Sequence, residues 1–361
     1  MAITNNAKGP VVMKKFIKER LKSSKGLLVV YLCIVLLLGF GAIIKPHLVS
    51  GGSLSSILRW SSILGMVAIG QTIVMVSGGI DVSVGAVVFL SSILGATLMQ
   101  GENNAVLPTL IICLGIGLMC GLFNGLVINF LRLPSIIVTL SLSIIINGVV
   151  WLYTGGVTRG GPAPALVRFA QSTLAGYIPL SFIFWLCMAF VFTFLMRATV
   201  FGRLFHAVGS NPTAAYLSGI NVSVVSIASY IISGVCASVA GVLLLGYLAM
   251  ATLRFSDIYT LGSIAAAAIG GTPFFTGLGT IMGTVGGTLI IRILFNLLLM
   301  FQIPEAGRII ANGLLLLVGS KCLWLTTKEV KHVPARINCR NRHRNKSLPW
   351  YDLEYERRES V

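Results

Sequence analysis

Asp81 stands in Gly78-Gly79-Ile80-Asp81-Val82-Ser83-Val84-Gly85 and is the one acid near the interior of a long apolar region. A carboxylate at membrane depth is costly and by default points to function. The Asp-x-Ser pattern equally suits a plainer role, accepting backbone N–H bonds at the start of the next helix. Capping or structural pairing is the stronger reading of the residue. A proton relay needs more carboxylates or histidines along a path, and the region lacks them. Further polar side chains are spaced through the apolar runs: Gln71, Thr72, Asn124, Thr139, Ser141, Asn147, Asn296 and Asn312. Their chemistry suits a path for a neutral, hydroxyl-rich solute, although any one of them more often bonds a neighbouring helix. Arg292 sits in an apolar span, where it must pair, snorkel or face water.

Enzyme signatures are missing. No Gly-Lys dipeptide occurs, so there is no phosphate-cradling loop of the Walker type, and neither His-Glu-x-x-His nor a metal-spaced His/Cys cluster is present. Three of the four histidines, His47, His332 and His343, lie in flanks or tails. The seven cysteines (33, 113, 120, 187, 236, 322, 339) form no Cys-x-x-Cys pair, and five of them lie in apolar stretches. A thiol there behaves as a small hydrophobe, so neither a disulfide framework nor a metal site is supported. If solute moves against a gradient, another chain must hydrolyse the ATP and carry its Mg; this one is read as a transport subunit with no cofactor of its own.

The elements that position these residues follow from composition. The chain of 361 residues is 56% hydrophobic and 10% charged, with mean hydropathy +0.92, where a soluble domain has about 25% charged residues. Of 27 Lys+Arg, seven precede Gly26 and ten follow Ser320, and the stretch between holds only four acids, Asp81, Glu102, Asp257 and Glu305. A net charge of +17 concentrated at the ends of an apolar chain reads as basic cytoplasmic flanks held at the anionic inner leaflet. No nucleic-acid partner is expected. The acidic end of the tail (Asp352, Glu354, Glu356, Glu359) argues further against one.

Runs of about 20 apolar residues span a bilayer as helices. Ten are expected: 26–44, 57–77, 82–99, 105–130, 135–154, 178–196, 222–249, 258–273, 277–300 and 305–320, the eighth short enough to be re-entrant. Gly26–Ile44 exceeds a signal-peptide core and lacks a cleavage site, so it reads as an uncleaved first span. The fold class is an all-α polytopic membrane protein. Its parts are a basic N-tail (1–25), a transmembrane domain (26–320) and a basic C-tail (321–361), with both tails inside. Arg132, Arg197, Arg203 and His206 then fall inside, whereas Glu102, Asp257 and Glu305 fall outside with Arg159, Arg168 and Arg254. Residues 155–177, rich in Gly and Pro, read as an irregular outer loop. Asn211-Pro212 starts a short helix at the cytoplasmic surface within 198–221. A weak repeat at an offset of 192 places Gly70, Gly78, Gly79, Gly85 and Gly95 on Gly262, Gly270, Gly271, Gly277 and Gly287, suggesting two related helix pairs. Small residues at helical spacing, Gly115, Gly117, Gly121 and Gly125, then Gly279, Gly283 and Gly286-Gly287, read as close helix packing.

Four stretches together resemble the permease subunit of bacterial ABC importers for simple sugars, the family of the ribose, xylose and galactose permeases. They are Gly70-Gln71-Thr72 leading into Gly78 to Gly85; Gly121-Leu122-Phe123-Asn124-Gly125 with Leu133 to Leu140; Phe201-Gly202-Arg203 through Gly219-Ile220; and Ile264-Ala265-Ala266, Gly270-Gly271-Thr272 and Gly277 to Gly287. The resemblance implies a second permease copy or sister permease, a cytoplasmic ABC ATPase and an extracytoplasmic sugar-binding protein, at the bacterial inner membrane. It implies that Gly202, Arg203, Gly209, Asn211, Pro212, Ala214, Ala215 and Gly219 belong to the helix that couples to the ATPase. The pathway or its structural motif would use Gln71, Gly78, Gly79, Asp81, Ser83, Asn124, Thr139, Thr272 and Asn296. The chain departs from the family where a Glu-Leu-Asp-type pair precedes Ile-Ala-Ala: here Thr260, Leu261 and Gly262 stand there, which puts an acid-dependent contact at the outer mouth in doubt. The tail after Lys321 is also longer than the family leads one to expect. Two other readings are a branched-chain amino-acid permease of the ABC class and an ATP-independent secondary carrier. The first needs countercharges for ammonium and carboxylate, the second needs titratable groups or ion ligands, and the chain offers little of either.

Overall fold

The computed structural model describes residues 9–174, 176–252, 256–304, 306–307, 310–311 and 313–314. Lipid offers the backbone no outside hydrogen-bond partner, so the apolar runs satisfy their N–H and C=O groups within helices. The chain is an all-α polytopic membrane protein; among the described residues a hairpin of two-residue strands, β1 (Thr173–Leu174) and β2 (Ile178–Pro179), lies in a loop.

α1 (Gly9–Ile44) carries the first span and continues back through the basic segment, so residues 9–25 extend that helix. It stops at Lys45, whose proline neighbour Pro46 disfavours helical backbone before it. α2 (Gly51–Val76) starts at Ser50, whose side chain accepts the Ser53 N–H. α3 (Val84–Met99), α4 (Val106–Leu131) and α5 (Ser135–Thr154) follow. Next come a short α6 (Pro164–Gln171), α7 (Leu180–Ala198), and the pair α8 (Val200–Ser210) and α9 (Pro212–Leu217). α10 (Val222–Leu248), α11 (Ser256–Ile269) and α12 (Ile281–Met300) follow. α6 is a departure from the irregular loop expected over 155–177, and Pro164 in its first turn is the local reason.

Seven of these helices are long and apolar enough to cross a bilayer: α1 through Leu27–Ile44, α2, α4, α5, α7, α10 and α12. α3 and α11 are shorter, about 24 and 21 Å at a rise of about 1.5 Å per residue. The expected eighth span, 258–273, ends as a helix at Ile269. The count of ten is not reached among the described residues: α3 and α11, the expected third and eighth spans, are short, and the tenth, 305–320, lies largely outside those residues, as do Asn312 and the tail 321–361.

α2 and α10 form the buried centre, packed by α3, α11 and α12, while α1, α4, α5 and α7 present apolar faces outward. Glycine makes the closest approach possible. On α4, a Cβ at Gly117, Gly121 or Gly125 would collide with the α10 backbone at Gly234, Tyr230 and Ile227 respectively. Without a hydrophobic drive between helices in lipid, such close backbone contact supplies dispersion energy. Gly115 has open space around it and takes no part.

Candidate functional site

Two glycine breaks lie at one end of the bundle. α2 closes with a Schellman motif: Gly79 N–H bonds Val74 O at 2.9 Å and Gly78 N–H bonds Met75 O at 3.1 Å, with Gly78 at φ +89°. α11 closes the same way, with Thr272 N–H on Ala267 O, Gly271 N–H on Ala268 O, and Gly271 at φ +89°. The backbone therefore pairs Gly78 with Gly271, one residue beyond the Gly78-to-Gly270 pairing of the sequence repeat. A left-handed glycine is what the motif requires, and a glycine doublet in each copy hides which one supplies it.

Beyond the first break, Asp81 is buried and both of its carboxylate oxygens accept from protein donors. Its Oδ1 accepts the Ser83 N–H at 2.9 Å and the Ser83 hydroxyl at 2.6 Å, and its Oδ2 accepts the Ser233 hydroxyl of α10 at 2.8 Å. Asn124 of α4 donates Nδ2–H to Ser83 Oγ at 2.8 Å. From α5, Ser135 Oγ accepts the Ile80 N–H at 3.3 Å and Thr139 Oγ1 accepts the Val82 N–H at 3.1 Å. Thr260 of α11 accepts the Gly85 N–H at 3.2 Å. The loop is thus a polar knot tying α3, α4, α5, α10 and α11 together. Ser83, not Asp81, occupies the N-cap position of α3; Asp81 braces that cap from two residues upstream.

The remaining expected pathway residues divide. Thr139 and Ser83 are spent in the knot, and Asn124 keeps one unpartnered atom, Oδ1. Gln71 is fully buried with neither Oε1 nor Nε2 bonded, although the next residue, Thr72, shares a 2.7 Å hydroxyl bond with Thr284 of α12. Thr272 Oγ1 is buried and unbonded at the second break, close against Gly279. Asn296 lies far away, toward the opposite end of α12, with Nδ2 buried and unpartnered. The structure brings Asp81, Ser83, Asn124 and Thr139 together and leaves Gln71, Thr272 and Asn296 apart from them.

The surface segment folds as two helices rather than one. α8 buries Gly202, Phe205, Val208 and Gly209, and its aromatic pair Phe201–Phe205 meets edge-on at 4.7 Å. Gly202 sits against the Met196 backbone of α7. Asn211 caps α9 as its type and the following Pro212 lead one to expect, accepting the Ala214 N–H at 2.9 Å. Ala215 faces inward, Gly219 holds φ +83° in the turn beyond, and Arg203, Asn211 and Ala214 face solvent. The C-terminal turn of α8 wedges between the two breaks. Gly209 touches the Val76 backbone on one side and Gly277 on the other, and His206 Nδ1 lies 2.7 Å from Gly277 O. A Cβ on Gly78 would stand 3.6 Å from the Gly209 Cα. α8 therefore contacts the backbone at both breaks. Two exposed apolar residues at the end of α9, Tyr216 (68% exposed) and Leu217 (80%), escaped the sequence reading; their position between Ala215 and Gly219 was the signal.

A helical, multi-pass membrane protein with glycine-broken helix pairs and a surface helix seated on the breaks is the architecture of a membrane permease. The family model described as branched-chain amino acid transport system / permease component matches residues 53–319, and the chain belongs to that family. It is similar to the galactose/methyl galactoside import permease of Escherichia coli (strain K12), 34% identical over 283 residues, 73% of this chain and 84% of the relative. The ribose import permease of Bacillus subtilis (strain 168) is 32% identical over 281 residues, 77% of this chain and 86% of the relative. The fructose import permease of Rhizobium meliloti is 31% identical over 315 residues, 84% and 87% of the two chains. No solved structure matches the chain.

Proposed function

We propose that this chain is the membrane-spanning subunit of an ATP-driven importer that moves a neutral sugar or related small polyol across the bacterial inner membrane. The observation that carries the reading is similarity to galactose, ribose and fructose import permeases over about three-quarters or more of the chain. Both termini face the cytoplasm in this reading, so Arg132, Arg197, Arg203 and His206 lie inside and Glu102 outside, in line with the positive-inside bias. Two permeases, the second a copy or a sister chain, form the path; a cytoplasmic ATPase supplies ATP and Mg chemistry, and an extracytoplasmic binding protein delivers the sugar.

Coupling runs through residues 198–221. Tyr216 and Leu217 offer an apolar knob to the ATPase, Arg203 and Asn211 flank it, and Gly209 carries displacement to the breaks after Val76 and before Gly277. Rigid-body rocking of the ATPases then shifts two helix pairs together. An amino-acid cargo fits less well, because the interior acid with a described side chain, Asp81, has its oxygens occupied by Ser83 and Ser233 and is not free to meet an ammonium group. The test is Arg203→Glu in the reconstituted importer: ATP hydrolysis persists and sugar uptake falls. Wild-type uptake per ATP in that variant removes the coupling assignment.

A further inference from the structure

Arg292 stands past the middle of α12, away from the knot and from α8. Its Cζ lies 5.5 Å from the ring centroid of Trp60 on α2 and 5.8 Å from that of Tyr259 on α11. The guanidinium is thus flanked by two aromatic faces, an attractive arrangement that leaves the N–H donors unsatisfied. Nε and Nη2 are buried with no hydrogen-bond partner, and one turn further along α12 Asn296 Nδ2 is the same. Tyr259 Oη lies near the guanidinium without a hydrogen bond of good geometry. No carboxylate with a described side chain pairs with Arg292: Asp81 is occupied by Ser83 and Ser233, and Glu102 is exposed in the loop after α3.

A structural arginine inside a membrane is paired, because an unpaired charge there is expensive. This one is instead set at a seam where three helices meet and is only partly covered, as are Trp60 and Asn296. Arg292 and Asn296, at positions i and i+4, share one face of α12. Among the described residues the cluster therefore presents N–H donors beside aromatic walls, and no acceptor bonds Nε or Nη2 of Arg292 or Nδ2 of Asn296. A ligand that completes it has closely spaced oxygen acceptors on one edge and an apolar C–H face to lie on an aromatic ring. A sugar ring has both.

We propose that Trp60, Tyr259, Arg292 and Asn296 form a binding station inside the permease for a polyhydroxylated ligand, at which the cargo rests after leaving the binding protein and before passing the glycine breaks. This rests on the sugar-import reading and adds that the membrane subunit itself contacts the sugar.

The test uses proteoliposomes containing the full importer, with D-galactose and D-ribose as probes at saturating loaded binding protein. Arg292→Gln lowers maximal uptake about tenfold, the worth of one hydrogen bond to a charged group, while basal ATP hydrolysis and the half-saturating concentration of binding protein stay at wild-type values. Arg292→Lys restores part of the loss, and Asn296→Ala produces a smaller one. In parallel, the full chain in nanodiscs is titrated with the same sugars: tryptophan fluorescence changes saturably in the wild type and not in Trp60→Phe, a variant that keeps the aromatic packing. Uptake at wild-type rates in Arg292→Gln and Asn296→Ala overturns the station, as does a wild-type chain whose tryptophan fluorescence neither sugar changes. Should Arg292→Gln fail to insert, the fluorescence titration decides. A wild-type importer that takes up neither sugar instead overturns the sugar reading for these probes, an outcome the variants do not imitate.

Discussion

Asp81 is the residue whose substitution separates a structural account of the glycine break from a substrate-contact account. Replacing it with Ala removes the acceptor of three donors: the Ser83 N–H, the Ser83 hydroxyl and the Ser233 hydroxyl. The hydroxyls can rotate to other acceptors, but the Ser83 N–H is fixed by the backbone and stays orphaned, which costs about 1–3 kcal/mol. Loss of the interhelical bond to Ser233 adds about 0.6 kcal/mol, the average for such bonds in membranes. Asp81→Ala is therefore expected to destabilise the chain by about 2–4 kcal/mol in all. Asp81→Asn keeps one oxygen for Ser83, and Ser233 can turn to accept from the new amide, so it costs about 1 kcal/mol. Thermal unfolding of the purified chain in lipid nanodiscs should rank wild type above Asn above Ala. Uptake in proteoliposomes, normalised to folded protein, should stay within about threefold of wild type for Asp81→Asn, since less than 1 kcal/mol separates rates that differ by that factor. An Asp81→Asn protein that melts like wild type and has lost uptake refutes the reasoning, because the carboxylate would then be acting on cargo or protons.

Two further outcomes follow from close backbone contacts. Gly209→Ala drives a methyl into the Val76 backbone and to 3.0 Å from the Gly277 Cα, neither of which can swing aside, so α8 must lift from the breaks; ATP hydrolysis should continue while sugar uptake per ATP falls about tenfold, the effect of about 1.4 kcal/mol lost from the coupled step. Gly121→Val forces its side chain into Tyr230 O and to 2.7 Å from Ile231 Cα, an overpacking cost of about 1–3 kcal/mol or more, read as a lower melting temperature. Gly115→Val, with nothing within 4 Å of the added Cβ, should leave it unchanged.

The helices were legible because lipid imposes one rule on the backbone, and apolar length reports it directly. Where helices fall short the rule weakens: α11 ends at Ile269 because a Schellman cap at Gly270-Gly271 stops it, and hydropathy alone does not see caps. The repeat was visible as matching glycine doublets but slipped by one residue, since either glycine of a doublet can take the left-handed position. Close packing was read correctly at Gly117, Gly121 and Gly125 and not at Gly115, whose helical face points away from α10. The chain-distant partners were beyond reach: Ser233 lies 152 residues from Asp81, and nothing in local spacing places Trp60 and Tyr259 beside Arg292. Asn211-Pro212 was readable as a helix start because capping is local chemistry. The seat of α8 on both breaks was not, because it depends on how four helix ends meet.

ATP-driven sugar import through this chain is directly measurable. Its most direct test is uptake of radiolabelled galactose, ribose and fructose into vesicles holding the permease with its ATPase and sugar-loaded binding protein, with and without ATP. At least one sugar should accumulate, and only when ATP is hydrolysed. Uptake indifferent to ATP, or driven equally well by an ion gradient with the ATPase left out, would contradict it.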